Sequence, residues 1–251
     1  MKKIGLKLWS TNKYYSQDII KFYDQGLFDY IELFAYPASY KDTISLWKSF
    51  DIPYIIHGAH SNFGFNLSKK DCSKTNIKLA DEAKRFADKL NAEIIIFHPG
   101  IDGDIKETVK QFNKIKDERV IVENKPYYTI DKKLVCNGNS PEEIDFVLKN
   151  TGIGFCLDFG HAICSANAQN KDWFSYLKEF LEFNPKMFHL SDGDITGVID
   201  QHRHLGDGSF DYKRIFSVLQ ENFIMSIETE KKHQDSLRDF KEDIRFLSKI
   251  I

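Results

Sequence analysis

Short apolar runs alternate with longer amphipathic segments along the whole chain. Most of these runs are continuously apolar, a pattern typical of parallel strands that are covered on both faces. The eight runs lie at residues 4–9, 30–34, 54–56, 94–97, 120–122, 154–157, 187–190 and 224–227. They predict eight β-strands, each followed by a connection long enough to hold a helix.

Several of the intervening segments carry helix signals. Residues 74–90 repeat apolar positions on one helical face, and residues 172–183 and 236–250 show similar patterns. Ser140-Pro141-Glu142-Glu143 is typical of a helix N-terminus, because Ser140 can cap, Pro141 suits the first turn and Glu143 can complete a capping box. The alternation therefore predicts β-then-α units from one end of the chain to the other.

The number of units and the length of the chain favour one fold class. A length of 251 residues is usual for a (β/α)₈ barrel, and no linker or composition shift divides the sequence. We therefore predict an α/β protein with a single (β/α)₈ TIM-barrel domain over residues 1–251. A doubly wound open sheet is the alternative, but residues 9–13 lack the glycine-rich turn that often follows its first strand.

Composition narrows the possible classes of function. The 35 Lys and Arg residues against 37 Asp and Glu residues give a net charge of −2, which argues against a globally basic nucleic-acid binder. The four cysteines form no C-x-x-C pair, so neither a disulfide framework nor a zinc ribbon is indicated. No apolar run approaches the roughly 20 residues of a membrane span. We expect a cytoplasmic protein with no membrane partner.

Residues of the types that bind metals are concentrated where the predicted strands end. In a TIM barrel these ends build the active site. The residues are Glu32, His57, His60, His98, Glu123, Asp158, His161, His189, Asp200, His202 and Glu228. Buried carboxylates and imidazoles in such numbers need a compensating cation. Because the set holds nitrogen and oxygen ligands without cysteine, it predicts a divalent ion such as Zn, Mn, Co or Mg.

The order of these motifs resembles that of the xylose isomerase-like TIM barrels, a superfamily of sugar isomerases, epimerases and endonuclease IV-type nucleases. The resemblance covers nearly the whole chain. It rests on His98-Pro99-Gly100, Glu123-Asn124, Leu157-Asp158-x-x-His161, His189-x-x-Asp192, Asp200-x-His202-x-x-Leu205-Gly206-x-Gly208 and Glu228.

Resemblance to the isomerase and epimerase branch implies one divalent ion held by Glu123, Asp158, His189 and Glu228. Glu123 and Glu228 would then move a proton beside a polarised carbonyl, and His161 would contact the substrate. The expected partner is a small sugar or sugar phosphate, and homodimers are common among such barrels. The expected substrate-binding residues are Trp9, Glu32, His57 and Lys125. This isomerase or epimerase activity is the preferred functional prediction.

Resemblance to the endonuclease IV branch implies an alternative, a phosphodiesterase with up to three zinc ions. The further ligands would then be His60, His98, His161, Asp200 and His202. His60 has the family's spacing to Asn66-Leu67, whereas His57 lies at the end of the apolar run, so the choice between them stays open. Nucleic acid is an expected partner only under this alternative. A metal-binding barrel without catalysis is a third possibility.

Three features argue against a nuclease. The nuclease branch has a histidine in its first strand, whereas this strand reads Gly5-Leu6-Lys7-Leu8-Trp9. The second strand carries Glu32, which resembles the isomerase branch. The supply of phosphate-neutralising side chains in the mouth loops is modest. It consists of Lys69, Lys70, Lys125, Lys132, Lys133 and Arg203. The long segment 125–139, with Tyr127-Tyr128, has two interpretations, a substrate lid or a simple excursion between elements.

Overall fold

Eight parallel strands close into a barrel in chain order, with the last strand paired to the first. The computed structural model describes residues 2–250, so the ends of the predicted domain, residues 1 and 251, lie outside the described residues. The strands are β1 (Lys2–Trp9), β2 (Tyr30–Phe34), β3 (Tyr54–His57), β4 (Ile95–Phe97), β5 (Val120–Glu123), β6 (Gly154–Asp158), β7 (Met187–Leu190) and β8 (Phe223–Ile227). The predicted fold class is confirmed.

Helices surround the barrel. Within residues 2–250 they are α1 (Ser16–Asp24), α2 (Tyr40–Ser49), α3 (Ser73–Leu90), α4 (Ile105–Ile115), α5 (Pro141–Thr151), α6 (Phe159–Ala168), α7 (Trp173–Leu181), α8 (Tyr212–Phe216) and α9 (Arg238–Leu247). The four helices expected from the sequence are α3, α5, α7 and α9. None of the helices in this part of the chain combines the length and apolar character needed to cross a bilayer.

The N-terminus of α5 differs in one contact from the expected capping box. Ser140 caps the helix as predicted, since its side chain accepts a hydrogen bond from the Glu143 amide. The Glu143 carboxylate, however, accepts hydrogen bonds from the Gly138 and Asn139 amides, not from that of Ser140. The preceding turn brings these amides to the helix end, so Glu143 ties the segment before α5 to the helix.

The apolar core has two layers. A large cluster fills the space between barrel and helices. A smaller cluster inside the barrel takes one residue from each of six consecutive strands. Its members are Tyr30, Ile55, Ile96, Ile121, Cys156 and Met187. The barrel is therefore a packed core and not a pore, as is usual for this architecture.

Candidate metal centre

Each strand contributes one polar side chain to the barrel mouth, two positions after a residue in the barrel interior. Side chains on a strand alternate between faces, so a residue two positions further along points the same way. The eight side chains are Lys7, Glu32, His57, His98, Glu123, Asp158, His189 and Glu228. Six of them are almost completely buried, and His98 and Glu228 are partly buried. We call this set the polar layer.

Four members of the polar layer converge on one point. Glu123, Asp158, His189 and Glu228 each offer a ligand atom, and all four atoms lie within 4.8 Å of one another. His189 Nδ1 lies 2.9 Å from Glu228 Oε2, 3.4 Å from Glu123 Oε1 and 3.9 Å from Asp158 Oδ2. We call this set the central group.

The converging atoms of the central group are those left without hydrogen-bond partners. Glu123 Oε1, Asp158 Oδ2, His189 Nδ1 and Glu228 Oε2 are all buried and have no hydrogen-bond partner within residues 2–250. Buried polar atoms without partners cost free energy, and native structures contain few of them. Four such atoms facing one point fit a divalent cation, because each residue presents one free lone pair to it.

Glu123 also belongs to a second group. Its other oxygen, Oε2, lies 3.1 Å from His57 Nε2 and 3.1 Å from His98 Nε2. His57 Nδ1 donates to the carbonyl of Gly58, so its Nε2 carries a lone pair toward Glu123 when the ring is neutral. The Glu123 carboxylate therefore lies between two sets of candidate ligands, with one oxygen facing each set.

His161, Asp200 and His202 form a third group. Asp200 Oδ2 lies 3.2 Å from His161 Nε2 and 2.5 Å from His202 Nε2. Both rings are oriented by backbone carbonyls, since His161 Nδ1 donates to Asn124 O and His202 Nδ1 donates to Glu228 O. Hydrogen bonds of this kind fix the tautomer of a metal-ligating histidine.

Charges within the centre lower the pKa of Glu123, Asp200 and Glu228, whereas burial, together with Asp200 and Glu123, raises the pKa of Asp158. Burial alone would raise the pKa of Glu228, but Lys7 and His189 outweigh burial and hold it well below its usual value. Burial would likewise lower the pKa of His202, yet Asp200 raises it to about 10. The buried centre is thus rich in negative charge and attracts cations.

The negative charge exceeds the positive charge of the lysine in the same layer. Lys7 Nζ contacts Glu228 Oε1 at 2.5 Å and Glu32 Oε1 at 3.2 Å. Glu32 Oε2 accepts a hydrogen bond from His189 Nε2 at 2.9 Å. With His161, His189 and His202 neutral, as metal ligation requires, the carboxylates of Glu32, Glu123, Asp158, Asp200 and Glu228 against Lys7 would leave a deficit of four positive charges. One divalent ion would supply two of these four positive charges.

The loop between β7 and α8 carries two residues of the third group and is fixed by a buried aspartate. Asp192 accepts hydrogen bonds from the amides of Gly193, Gly206 and Phe210. Its own backbone also forms an isolated antiparallel bridge with Arg203. The loop that presents Asp200 and His202 is therefore held in place from both of its ends.

A family comparison agrees with this architecture. The family described as xylose isomerase-like TIM barrel matches residues 23–250. The chain belongs to this family. A probable endonuclease 4 of Persephonella marina is 26% identical over 181 residues, covering 62% of this chain and 61% of that protein. The family resemblance expected from the sequence is confirmed.

Solved structures from both branches of the xylose isomerase-like family share the fold. A D-tagatose 3-epimerase-like protein superposes with a TM-score of 0.72 at 18% identity, covering 99% of this chain and 96% of its own. Endonuclease IV from Thermus thermophilus gives 0.69 at 19% identity, covering 98% of each chain. Because these identities are low, the likeness concerns the fold.

Beside the polar layer, this xylose isomerase-like barrel has a cavity of about 540 Å³. Its polar floor contains His98, His161, Asp200, His202 and Glu228. Lys125, expected to bind substrate, lies in the wall of this cavity. His98 of the second group, the whole third group and Glu228 of the central group thus face a space large enough for a small molecule.

The structure separates the two histidines that follow β3. His57 is the last residue of the strand and lies in the second group. His60 lies on the cavity wall, where its ring centroid is 6.1 Å from that of His98, and it belongs to none of the three groups in residues 2–250. The strand geometry thus favours His57 as the ligand, whereas the predicted set contained His60.

Two residues expected to bind substrate lie elsewhere. Glu32 is fully buried against Lys7 and His189, so its carboxylate has no surface left for a substrate. Trp9 is 44% exposed and packs against Phe34, Tyr36 and Phe63 beside the mouth, outside the cavity lining. The structure gives Glu32 a supporting contact with His189, and its expected role in substrate binding stays a prediction.

The sequence reasoning missed Lys7 as part of the centre. Its signal was visible as a lysine inside an otherwise apolar strand, two positions after Gly5. A side chain at Gly5 would overlap the ring of Tyr30, so Gly5 leaves the barrel interior to Tyr30. Lys7 then occupies the next layer, where its ammonium group reaches two carboxylates.

Proposed function

We propose that this protein is a metal-dependent phosphoester hydrolase with more than one divalent ion in its centre. The observation that carries the proposal is the position of Glu123. One oxygen faces Asp158, His189 and Glu228, and the other faces His57 and His98. A carboxylate between two ligand groups suits a bridge between neighbouring ions.

The residues present fit such a centre. The central group would hold one ion, His57, His98 and Glu123 a second, and His161, Asp200 and His202 a third. Zinc suits these nitrogen and oxygen ligands, and manganese or cobalt is a further possibility. When bound, the ions supply Lewis acidity, which stabilises charge on phosphate oxygens and generates a nucleophile from water at neutral pH.

The chain's own residues supply positioning. Lys125 can bind a phosphate oxygen from the cavity wall as a point charge. The hydrolysis adds water across the ester: the water oxygen bonds to phosphorus, the bond from phosphorus to the ester oxygen breaks, and the leaving oxygen takes a proton. Lys7 and Glu32 hold Glu228 and His189 in place throughout.

A sugar isomerase or epimerase is the second candidate, favoured by the central group itself. That chemistry requires two carboxylates able to exchange protons with a substrate carbon. Here Glu123 is completely buried, and both of its oxygens face candidate ligands. Glu123 would then serve to hold ions and not to transfer protons, so the isomerase reaction is placed second.

Metal content and hydrolysis test the proposal together. Protein purified without chelators should carry close to three zinc ions per chain, and the loaded protein should hydrolyse bis(4-nitrophenyl) phosphate. Glu123→Gln should lose ions and lower kcat by about 100-fold or more, as expected for loss of a metal ligand. Glu142→Gln, an exposed position on α5, is the matched control. One ion per chain, with ketose isomerisation and no phosphoester hydrolysis, would favour the second candidate.

A further inference from the structure

A hairpin covers one side of the cavity. Tyr128 and Val135 form an antiparallel bridge, and Thr129 N donates to Leu134 O at 3.0 Å. The base of the hairpin is fixed by a second bridge between Cys136 and Ile101. The segment from Tyr127 to Cys136, which we call the mouth hairpin, is therefore a formed element anchored beside β4.

The mouth hairpin places apolar side chains on the cavity wall. Tyr128, Ile130 and Leu134 all line the cavity, and Ile130 at the tip is 79% exposed. Such exposure of a large aliphatic side chain has no role in core packing. Exposed apolar groups that adjoin a cavity are typical of ligand-binding surfaces.

With the candidate ions bound, the part of the cavity around Lys125 and the third group would suit an anion. Lys125 is half-buried and makes no side-chain hydrogen bond or ion pair within residues 2–250. It lies near His98 and His161, whose candidate ions would add positive charge. The cavity therefore joins a cationic end to an apolar wall, and it selects for ligands that carry both kinds of group.

The volume of the cavity and the pairing of nearby lysines argue against a long nucleic-acid duplex as the substrate. A volume of about 540 Å³ lies in the range of small-molecule sites. Duplex binding depends on lysines and arginines free to neutralise several phosphates. Of the basic residues in the mouth loops, Lys69 pairs with Asp102 at 2.8 Å and Lys133 pairs with Asp131 at 3.4 Å.

We infer that the substrate is a small phosphoester of about nucleotide size, with its phosphate beside Lys125 and an apolar or planar group against the mouth hairpin. This inference rests on the proposed phosphoester hydrolase function and narrows it. It assigns Ile130 and Tyr128 to substrate affinity, because both line the cavity and neither is a member of the three ligand groups. The bond that breaks is the one from phosphorus to the ester oxygen.

Steady-state kinetics with the zinc-loaded protein test the inference. The probes are thymidine 5′-(4-nitrophenyl phosphate) and methyl 4-nitrophenyl phosphate, which share a leaving group and differ in the other ester group. We expect kcat/KM to be higher for the thymidine ester. Ile130→Asp should raise KM for this ester about tenfold, the loss expected for one aliphatic contact, with little change in kcat. Lys125→Met should raise KM for both esters.

The control variant is Ile20→Asp, which changes an isoleucine that is 50% exposed on α1, outside the cavity lining. Its kinetics should match those of the wild type, and all variants should melt within a few degrees of it. Duplex DNA with an internal abasic site is the competing substrate. A higher kcat/KM on this duplex than on the thymidine ester, or an unchanged KM in Ile130→Asp, would overturn the inference while leaving hydrolysis intact. No hydrolysis of any phosphoester would overturn the proposed function itself.

Discussion

Glu32 orients a candidate ligand atom from the far side of an imidazole ring. Its Oε2 accepts a hydrogen bond from His189 Nε2 at 2.9 Å, and Nδ1 of the same ring faces the central group. Glu32→Gln keeps the side-chain shape and removes the charge that favours this tautomer. We expect zinc affinity to fall about 10- to 100-fold, as is typical for outer partners of metal ligands. Competition with a chromophoric chelator measures this change.

The matched control is again Glu142→Gln, which removes an exposed carboxylate from α5 without touching the polar layer. Its zinc affinity should equal that of the wild type. If Glu32→Gln bound zinc as tightly as the wild type, the orientation of His189 would depend on the barrel alone, and the supporting role of Glu32 would be wrong.

At the residue scale the sequence predicted which side chains meet, but not how each is used. His98, Glu123 and Asp158 could be grouped because parallel strands deliver their carboxyl ends to one face. His57 and His60 could not be separated, because the orientation of the turn after β3 decides which ring enters the group. Glu32 is covered by Lys7, its register partner on the neighbouring strand β1, and by His189 on β7, and spacing along the chain does not predict the second contact.

The loop between β7 and α8 depends on Asp192, whose carboxylate accepts hydrogen bonds from three amides. Asp192→Ala leaves these amides without their acceptor and should free the loop that presents Asp200 and His202. We expect the variant to stay folded, with the unfolding free energy reduced by about 1–3 kcal/mol for the lost buried acceptor. The number of zinc ions per chain should fall by about one, because the third group alone is disturbed.

The control for this variant is Asp194→Ala in the same loop. Asp194 is exposed, and its carboxylate accepts a local hydrogen bond from Thr196. Its metal content should equal that of the wild type. An unchanged zinc count in Asp192→Ala would show that Asp200 and His202 hold their positions without the loop, or that they bind no ion.

At the element scale, the sequence predicts all eight strands but misses the last residue of three of them. Continuous apolar runs gave all eight strands, yet β3, β5 and β6 each extend one residue further, to His57, Glu123 and Asp158. These polar ends stay in the strand because their side chains enter the polar layer. The sequence pattern does not predict helix α6, because residues 159–166 are buried on every side and so form no amphipathic stripe.

Across the whole molecule, the polar layer covers one end of an apolar barrel interior. Side chains that point into the barrel are apolar in one layer, and in the next layer they are charged residues or histidines. Ile121 and Glu123 on β5 are an example. Desolvated carboxylates in excess of cations oppose folding unless other charges compensate them. Lys7 supplies one such charge, and bound ions would supply the rest when the ligand histidines are neutral.

Zinc should therefore control the stability of the entire barrel as well as its activity. A ligand that binds only the folded state at about 100 times its Kd adds about 2.7 kcal/mol of stability. For a chain of this length each kcal/mol corresponds to about 2–4 °C, so zinc should raise the Tm of chelator-treated protein by about 5–10 °C. Differential scanning calorimetry of the chelated and zinc-loaded protein measures the shift. Glu123→Gln should show a smaller shift, because it weakens two ligand groups together, whereas Glu142→Gln should respond like the wild type. Identical melting temperatures with and without zinc in the wild type would mean that Lys7 and protonated histidines neutralise the polar layer by themselves, since no other cation within residues 2–250 contacts its carboxylates.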